Sequence, residues 1–317
     1  MKRGLFLLIA LCLLLLVVWL MWPRLSGDPG FDAAVAEPAY SGDGPSVLFD
    51  EGHYNFHKSE GRYKPFADLI RSDGYRITVN TSRLNRKLLD GHDILISANA
   101  LGLGGSLQMA VARLGLEVNL TGSAFDEDEC LAVESWLRQG GALLLIADHA
   151  LLGAASDSLA RRFGVMMSNR FAMDEQHHDP ESGERGLQVY SRENGLLGNH
   201  PITEGRSEFE RLDMVMTFSG QSLRFPPKAN PFLLLPESAF ELPRRNAPDS
   251  QARSVAGSAQ GIALEFGQGR VVILADAASL TSQIISGDDR SLSFGMSPQN
   301  DNRQLALNIL HWLSRLL

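Results

Sequence analysis

Two rhythms of apolar residues alternate along most of the chain. Short unbroken runs, bounded by glycine, a turn or a charge, are followed by stretches in which apolar residues recur every three or four positions. Val47-Leu48-Phe49, Tyr75 to Val79, Ile94 to Ala98, Ala142 to Ala147, Gly261 to Phe266 and Val271 to Ala275 have the length and continuity of buried strands. Helical spacing joins Tyr63, Phe66, Ala67 and Ile70, then Cys130, Val133, Trp136 and Leu137, and finally Leu305, Ile309, Trp312, Leu313 and Leu316. Asp126 with Glu129 three residues on is a capping box, and Gly74 and Gly140 stand where helices stop. Strand–helix–strand alternation predicts an α/β fold with a mostly parallel sheet. Gly267-Gln268-Gly269 joins the last two runs as a hairpin turn.

Three stretches break the pattern. From about 165 to 260 the apolar runs shorten and turns multiply, which predicts a strand-rich insertion. Its segment from Asp174 to Arg185, holding His177 and His178, is polar enough for a loop. Residues 24–45, rich in Gly, Pro, Ser and Asp, read as a linker. Residues 4–22 form an apolar run behind Lys2 and Arg3, with Trp19 and Trp22 at its far end and Pro23 after it. That is the length of a membrane-spanning helix with an aromatic interfacial belt. The run is long for a cleaved signal, and the small-x-small site Ala34-Val35-Ala36 is distant. The expected organisation is a transmembrane signal anchor over 1–23, a linker over 24–45 and one α/β domain over 46–317. The positive residues before the anchor place the domain on the periplasmic or extracellular side of the cytoplasmic membrane.

Composition narrows the partners. The net charge is −8 with no basic stripe, which argues against nucleic acid. The two cysteines, Cys12 and Cys130, form no disulfide framework. No Walker loop, His-Glu-x-x-His or Cys-x-x-Cys occurs, and nothing specifies a cofactor.

Ligands of an open parallel sheet sit beyond the carboxyl ends of its strands. Glu51 and His53 follow the first strand, Asp148 and His149 the fourth run, and Asp276 the last. If these ends converge, three carboxylates and two imidazoles line one edge as a candidate pocket. Two carboxyls held close push one pKa up and supply an acid. The same groups suit zinc or manganese, or a polyol whose hydroxyls need acceptors and an aromatic platform such as Tyr54 or Phe56. The plainer roles are loop bracing for Glu51 and His53, capping for Asp148 with His149 paired to it, and a turn for Asp276. His57, His177, His178 and His200 are weaker candidates, and His92 and His311 are expected to be structural.

Three segments carry a resemblance: Phe49 to His57, Phe125 to His149, and Gly269 to Ala278 with the terminal helix holding Asn308, His311 and Trp312. On these the chain resembles the class I glutamine amidotransferase-like superfamily. Within it, the chain looks like the branch shared by gliding-motility transporter accessory proteins, membrane-anchored bacterial proteins and an intraflagellar-transport subunit. The resemblance implies a flavodoxin-like doubly wound sheet and a catalytic cysteine in the sharp turn after the central strand. That turn holds Asp148-His149 here, and no Gly-x-Cys-x-Gly or Gly-x-Ser-x-Gly elbow exists. Thiol chemistry on glutamine is therefore not expected. The expected function is a ligand-binding domain for a glycan or envelope component, or an accessory of an envelope transport assembly. A carboxylate–histidine hydrolase, with or without a metal, and a purely structural interaction module are the alternatives.

Overall fold

The computed structural model describes residues 26–28, 30–112, 122–287 and 290–317. The predicted anchor lies outside them; among the described residues no helix is long and apolar enough to cross a membrane. The first half alternates as expected: β1 (Ser46–Asp50), α1 (Lys64–Ser72), β2 (Arg76–Asn80), β3 (Ile94–Ala98), α2 (Gly102–Ala112), α3 (Glu127–Arg138) and β4 (Ala142–Ile146). Then come β5 (Leu187–Ser191), β6 (Met214–Phe218), β7 (Asn230–Leu234), β8 (Ala259–Phe266), β9 (Gly269–Leu274), β10 (Ser282–Gly287), β11 (Arg290–Gly295) and α4 (Asn302–Leu313).

The central sheet runs β2-β1-β3-β4-β9-β8. Its first five strands are parallel, and β8 returns antiparallel to β9 through the predicted hairpin. Side chains alternate across the strands and so feed two cores. Phe49, Ile96, Leu144 and Val272 meet Phe66 and Ile70 of α1 and Leu305 and Ile309 of α4. Leu48, Leu95, Leu143 and Val271 meet Cys130, Val133 and Leu137 of α3 on the other face. The order of the parallel strands is that of a flavodoxin-like sheet. From β1 the chain steps outward to β2, then crosses to β3 on the other side, so a crevice opens beyond the carboxyl ends there.

The region 165–260 is woven into this sheet. Met166–Met167, Leu223–Arg224 and β7 extend it beyond β8, while β5 and β6 pair separately and Phe171–Met173, Phe240–Leu242 and Arg253–Ser254 form a small third sheet. One element has no plain pattern in the sequence, and one expectation changes. The glycine-rich stretch from Gly102 begins a helix; Leu101 and Gly102 both donate backbone N–H bonds to the His53 carbonyl, which holds its first turn against the loop after β1. Residues 31–44, expected as a linker, are docked as a strap. Phe31, Val35 and Tyr40 pack on the core, Ala39 N–H donates to Asp73, and Tyr40 meets Tyr75 edge to face at 5.2 Å. Three apolar side chains spaced through a polar stretch were enough to dock it.

Gly74 makes this docking possible. Its φ is +94°, and a Cβ there would fall 2.2 Å from the Tyr40 carbonyl oxygen. Gly74→Ala is expected to cost about 2 kcal/mol and to expose the strap to protease. Urea denaturation and limited proteolysis check this; an unchanged midpoint with an intact strap contradicts it.

Candidate functional site

Four strand ends build the site. β3 ends in Ala98-Asn99, β4 in Ile146-Ala147-Asp148 and β9 in Leu274-Ala275-Asp276, with the loop after β1 beside them. A cleft of about 560 Å³ opens over β4 and its neighbours. Asp148 and His149 lie at its floor, Phe56, Phe218 and Phe294 contribute aromatic wall, and Arg62 and Arg245 bring positive charge.

The floor is organised through backbone bonds. Asn99, at φ 45°, accepts a hydrogen bond from Asp148 N–H (2.8 Å) and its amide nitrogen lies 3.0 Å from His57 Nδ1. Asparagine tolerates this left-handed backbone better than most residues. The Asn99 amide is a donor there, so His57 Nδ1 accepts and Nε2 carries the proton. Burial, then the nearby Arg62 charge, lowers the His57 pKa to about 3, so the ring is neutral. Asn99→Ala removes both bonds at once and is expected to cost about 2 kcal/mol, read from chemical denaturation. A loss below a few tenths contradicts this view of the floor.

Asp148 and Asp276 are both buried at the tips of adjacent strands. His149 N–H donates to Asp148 Oδ1 at 2.7 Å; Phe218 and Ser279 N–H donate to Asp276 at 2.9 and 2.7 Å. Burial nevertheless pushes Asp148 up to about 7. Burial, and then the Asp148 charge, push Asp276 up to about 7. Burial thus favours the neutral form of each carboxyl, and the Asp148 charge adds to this at Asp276. His149 stacks on Phe171 with ring centroids 4.3 Å apart, and its Nδ1 donates to the Ala150 carbonyl at 3.0 Å. Burial lowers its pKa, so Nε2 is a lone-pair acceptor. That nitrogen is 4.0 Å from Asp148 Oδ1, beyond a hydrogen bond.

Glu51 and His53 have other partners. Glu51 Oε1 accepts from Ser59 N–H and Ser59 Oγ at 2.8 and 2.7 Å, closing the loop after β1. His53 is buried between two carboxylates, with Nδ1 2.8 Å from Asp50 Oδ1 and Nε2 2.9 Å from Glu129 Oε1. Burial opposes its charge, but the hydrogen bonds and charges of Asp50, then Glu129, raise its pKa. Neither residue lines the cleft. The structure therefore puts Asp148 and His149 in the cleft, with Asp276 buried on the neighbouring strand end outside its lining, and seats Glu51 and His53 in the scaffold.

His177 bonds Asp174 within its own loop, His200 caps the turn Pro201–Glu204, and His311 of α4 bonds Asp73. Among the described residues, no group of three or more His, Cys, Asp or Glu is placed to hold a metal ion. Other groups at the site had weaker signals. His57 stood in the same motif as His53 and Phe56, and Asn99 directly follows the β3 run. Arg245, which donates to Ser219 Oγ, comes from the inserted region and has no local marker.

No family model and no curated protein matches the chain. Solved structures do. The N-terminal domain of mmIFT52 superposes with a TM-score of 0.58 at 13% identity, over 85% of this chain and 97% of that one. The likeness is one of fold. A GMP synthase-like protein from Thermoplasma acidophilum has a TM-score of 0.40, 10% identity and coverage of 86% and 95%. A ThuA-like protein from Bacteroides uniformis has a TM-score of 0.40, 12% identity and coverage of 90% and 95%.

Proposed function

We propose that this chain is a membrane-tethered, extracytoplasmic ligand-binding domain of amidotransferase-like fold that takes a glycan or related envelope component in the cleft over β4. The observation that carries the reading is the tip of β4. Asp148 spends one oxygen on the His149 backbone N–H. No cysteine or serine stands in the turn from Asp148 to Gly153, so the nucleophile of the resembling family has no counterpart. What remains suits recognition. Aromatic wall, a neutral imidazole acceptor, the protonatable Asp148 carboxyl and two guanidinium groups match the faces and hydroxyls of a polyol. The anchor over 4–22 would keep the domain at the envelope, and a transport assembly is a natural place for such an accessory.

Thermal shift of the full-length chain against a panel of envelope sugars tests the reading. A ligand at a hundred times its Kd stabilises by about 2.7 kcal/mol. The expected result is a hit that raises the melting temperature of wild type and loses most of that effect in Phe218→Ala. A hit equally strong in both proteins places binding elsewhere.

A second reading is hydrolysis, supported by Asp148, which lines the cleft and whose carboxyl burial pushes up to about 7, so that it could act as a general acid. It predicts product release from the bound ligand that Asp148→Asn abolishes; binding without turnover leaves the recognition reading.

A further inference from the structure

The strap fixes where the N-terminal segment meets the domain. Ser26–Gly27 form a strand against β10, with Ser26 opposite Ile284 and Gly27 opposite Gln283, and Asp28 N–H donates to the Ser282 carbonyl at 2.9 Å. β10 and β11 belong to the cleft: Gln283 and Phe294 line it, and Arg62, stacked over Phe56, donates to Gln283 Oε1. From there the strap runs down the domain to the amino end of β1. Val35 N–H donates to Ser72, Ala39 N–H to Asp73, and the Gly44 carbonyl accepts from Arg76. The chain thus enters at the cleft edge of the sheet, and docking along its length keeps that entry point in place.

Only Pro23, Arg24 and Leu25 separate Trp22, the last residue of the apolar run, from Ser26. Four residue steps span at most about 14 Å. With the proposed anchor over 4–22 in a bilayer, a domain held this closely could not turn its opposite edge to the membrane without releasing the strap. Exposed apolar side chains also follow these strand ends: Tyr54 after β1, Leu103 at the start of α2 after β3, and Leu151 after β4.

We infer that the cleft opens onto the membrane surface and that its ligand is the polyol–phosphate head group of a membrane-resident lipid. This rests on the binding reading above and adds the source of the ligand. Arg62 and Arg245 would take the phosphate, and the aromatic wall with His149 would take the polyol. Tyr54, Leu103 and Leu151 would rest in the interface beside it, where amphipathic and apolar side chains bind headgroup-level lipid.

The test uses the full chain in vesicles of phosphatidylglycerol or of phosphatidylcholine, with a fluorophore at one of two exposed sites in a Cys12→Ser background. Lys58→Cys lies between Phe56 and Arg62 at the cleft edge, and Gln268→Cys lies in the β8–β9 turn. The six residues of β9 separate the two edges by about 20 Å. Lipids carrying a headgroup quencher are expected to quench the Lys58 site several-fold more than the Gln268 site. Adding phosphatidylglycerol is expected to protect the cleft edge from hydrogen exchange, and Arg245→Ala is expected to remove that protection.

Equal quenching, or stronger quenching at Gln268, overturns the orientation. Failure of the chain to float with vesicles overturns the tether. In both cases binding of soluble sugars in the cleft stands on its own thermal-shift result. Selective quenching at Lys58 with no lipid-dependent protection overturns the head-group ligand.

Discussion

Asp148→Asn is expected to flatten the pH–stability profile of the domain, so that wild type loses about 4 kcal/mol more than the variant between pH 4 and pH 8. The Asp148 carboxyl stands near 3.8 when unfolded and is pushed up to about 7 in the fold, chiefly by burial. A group whose pKa is raised by folding holds more protons in the native state across that window. Its contribution is complete below the unfolded pKa, and it is lost as pH climbs through the folded one. Three units correspond to roughly 4 kcal/mol. Asparagine keeps an acceptor for His149 N–H and carries no charge, so its profile lacks this slope. Asp276 also loses the neighbouring charge that helps raise it, which flattens the curve further. All other titrating groups are common to both proteins and cancel. Urea denaturation at pH 4 and pH 8 reads the effect; parallel profiles contradict a buried Asp148 carboxyl held neutral by the fold.

The second large effect belongs to the scaffold under the cleft. Asp50 is fully buried and accepts from His53 Nδ1, Ser97 Oγ (2.8 Å) and, at 3.3 Å each, the amides of Asn55 and Asn80. Asp50→Ala takes the acceptor from His53 Nδ1 and Ser97 Oγ inside the protein, while Asn55 and Asn80 keep the Ala98 and Ser82 carbonyls and Glu129 stays bound to one side of the imidazole. Breaking a buried ionic network by removing one member costs about 3–5 kcal/mol, and Asp50→Asn should recover part of it. The His53 pKa, raised in wild type, is expected to fall in the alanine variant, which an NMR titration reads directly. A loss under 1 kcal/mol with an unshifted His53 rules out the network as a stabilising element. The sign in wild type follows from the raised pKa. His53 contributes fully below its unfolded value and loses that contribution as pH rises through the folded one.

Much of this fold was legible because its signals are local. Continuous apolar runs such as Ala142–Ile146, short and bounded by glycine and an acid, have the length of strands buried on both faces, and the Asp126–Glu129 capping box announces α3. The candidate site was legible in part for the same reason: Asp148, His149 and Asp276 directly end buried strands. What escaped depends on long-range partners. His53 and Glu51 follow β1 in the same way, yet Glu129 from α3 and Ser59 from the following loop claim them. The helix at Gly102 was hidden because glycines read as loop, while its start is set by the His53 carbonyl some fifty residues earlier. The strap was hidden by its composition. Its docking rests on Tyr40, Val35 and Phe31 meeting a surface that exists only after folding. Arg245 reaches the cleft from the far end of the insertion, a placement that no local pattern encodes.

The central claim is that the cleft over β4 is where this chain meets its ligand. The most direct measurement is a two-dimensional NMR titration of the isotope-labelled protein with the strongest thermal-shift hit. The account predicts perturbations concentrated on Phe56, His149, Phe218 and Phe294, and their loss in Phe218→Ala. Perturbations gathered instead at the opposite edge, around Arg86, Trp136 and Arg315, would contradict it.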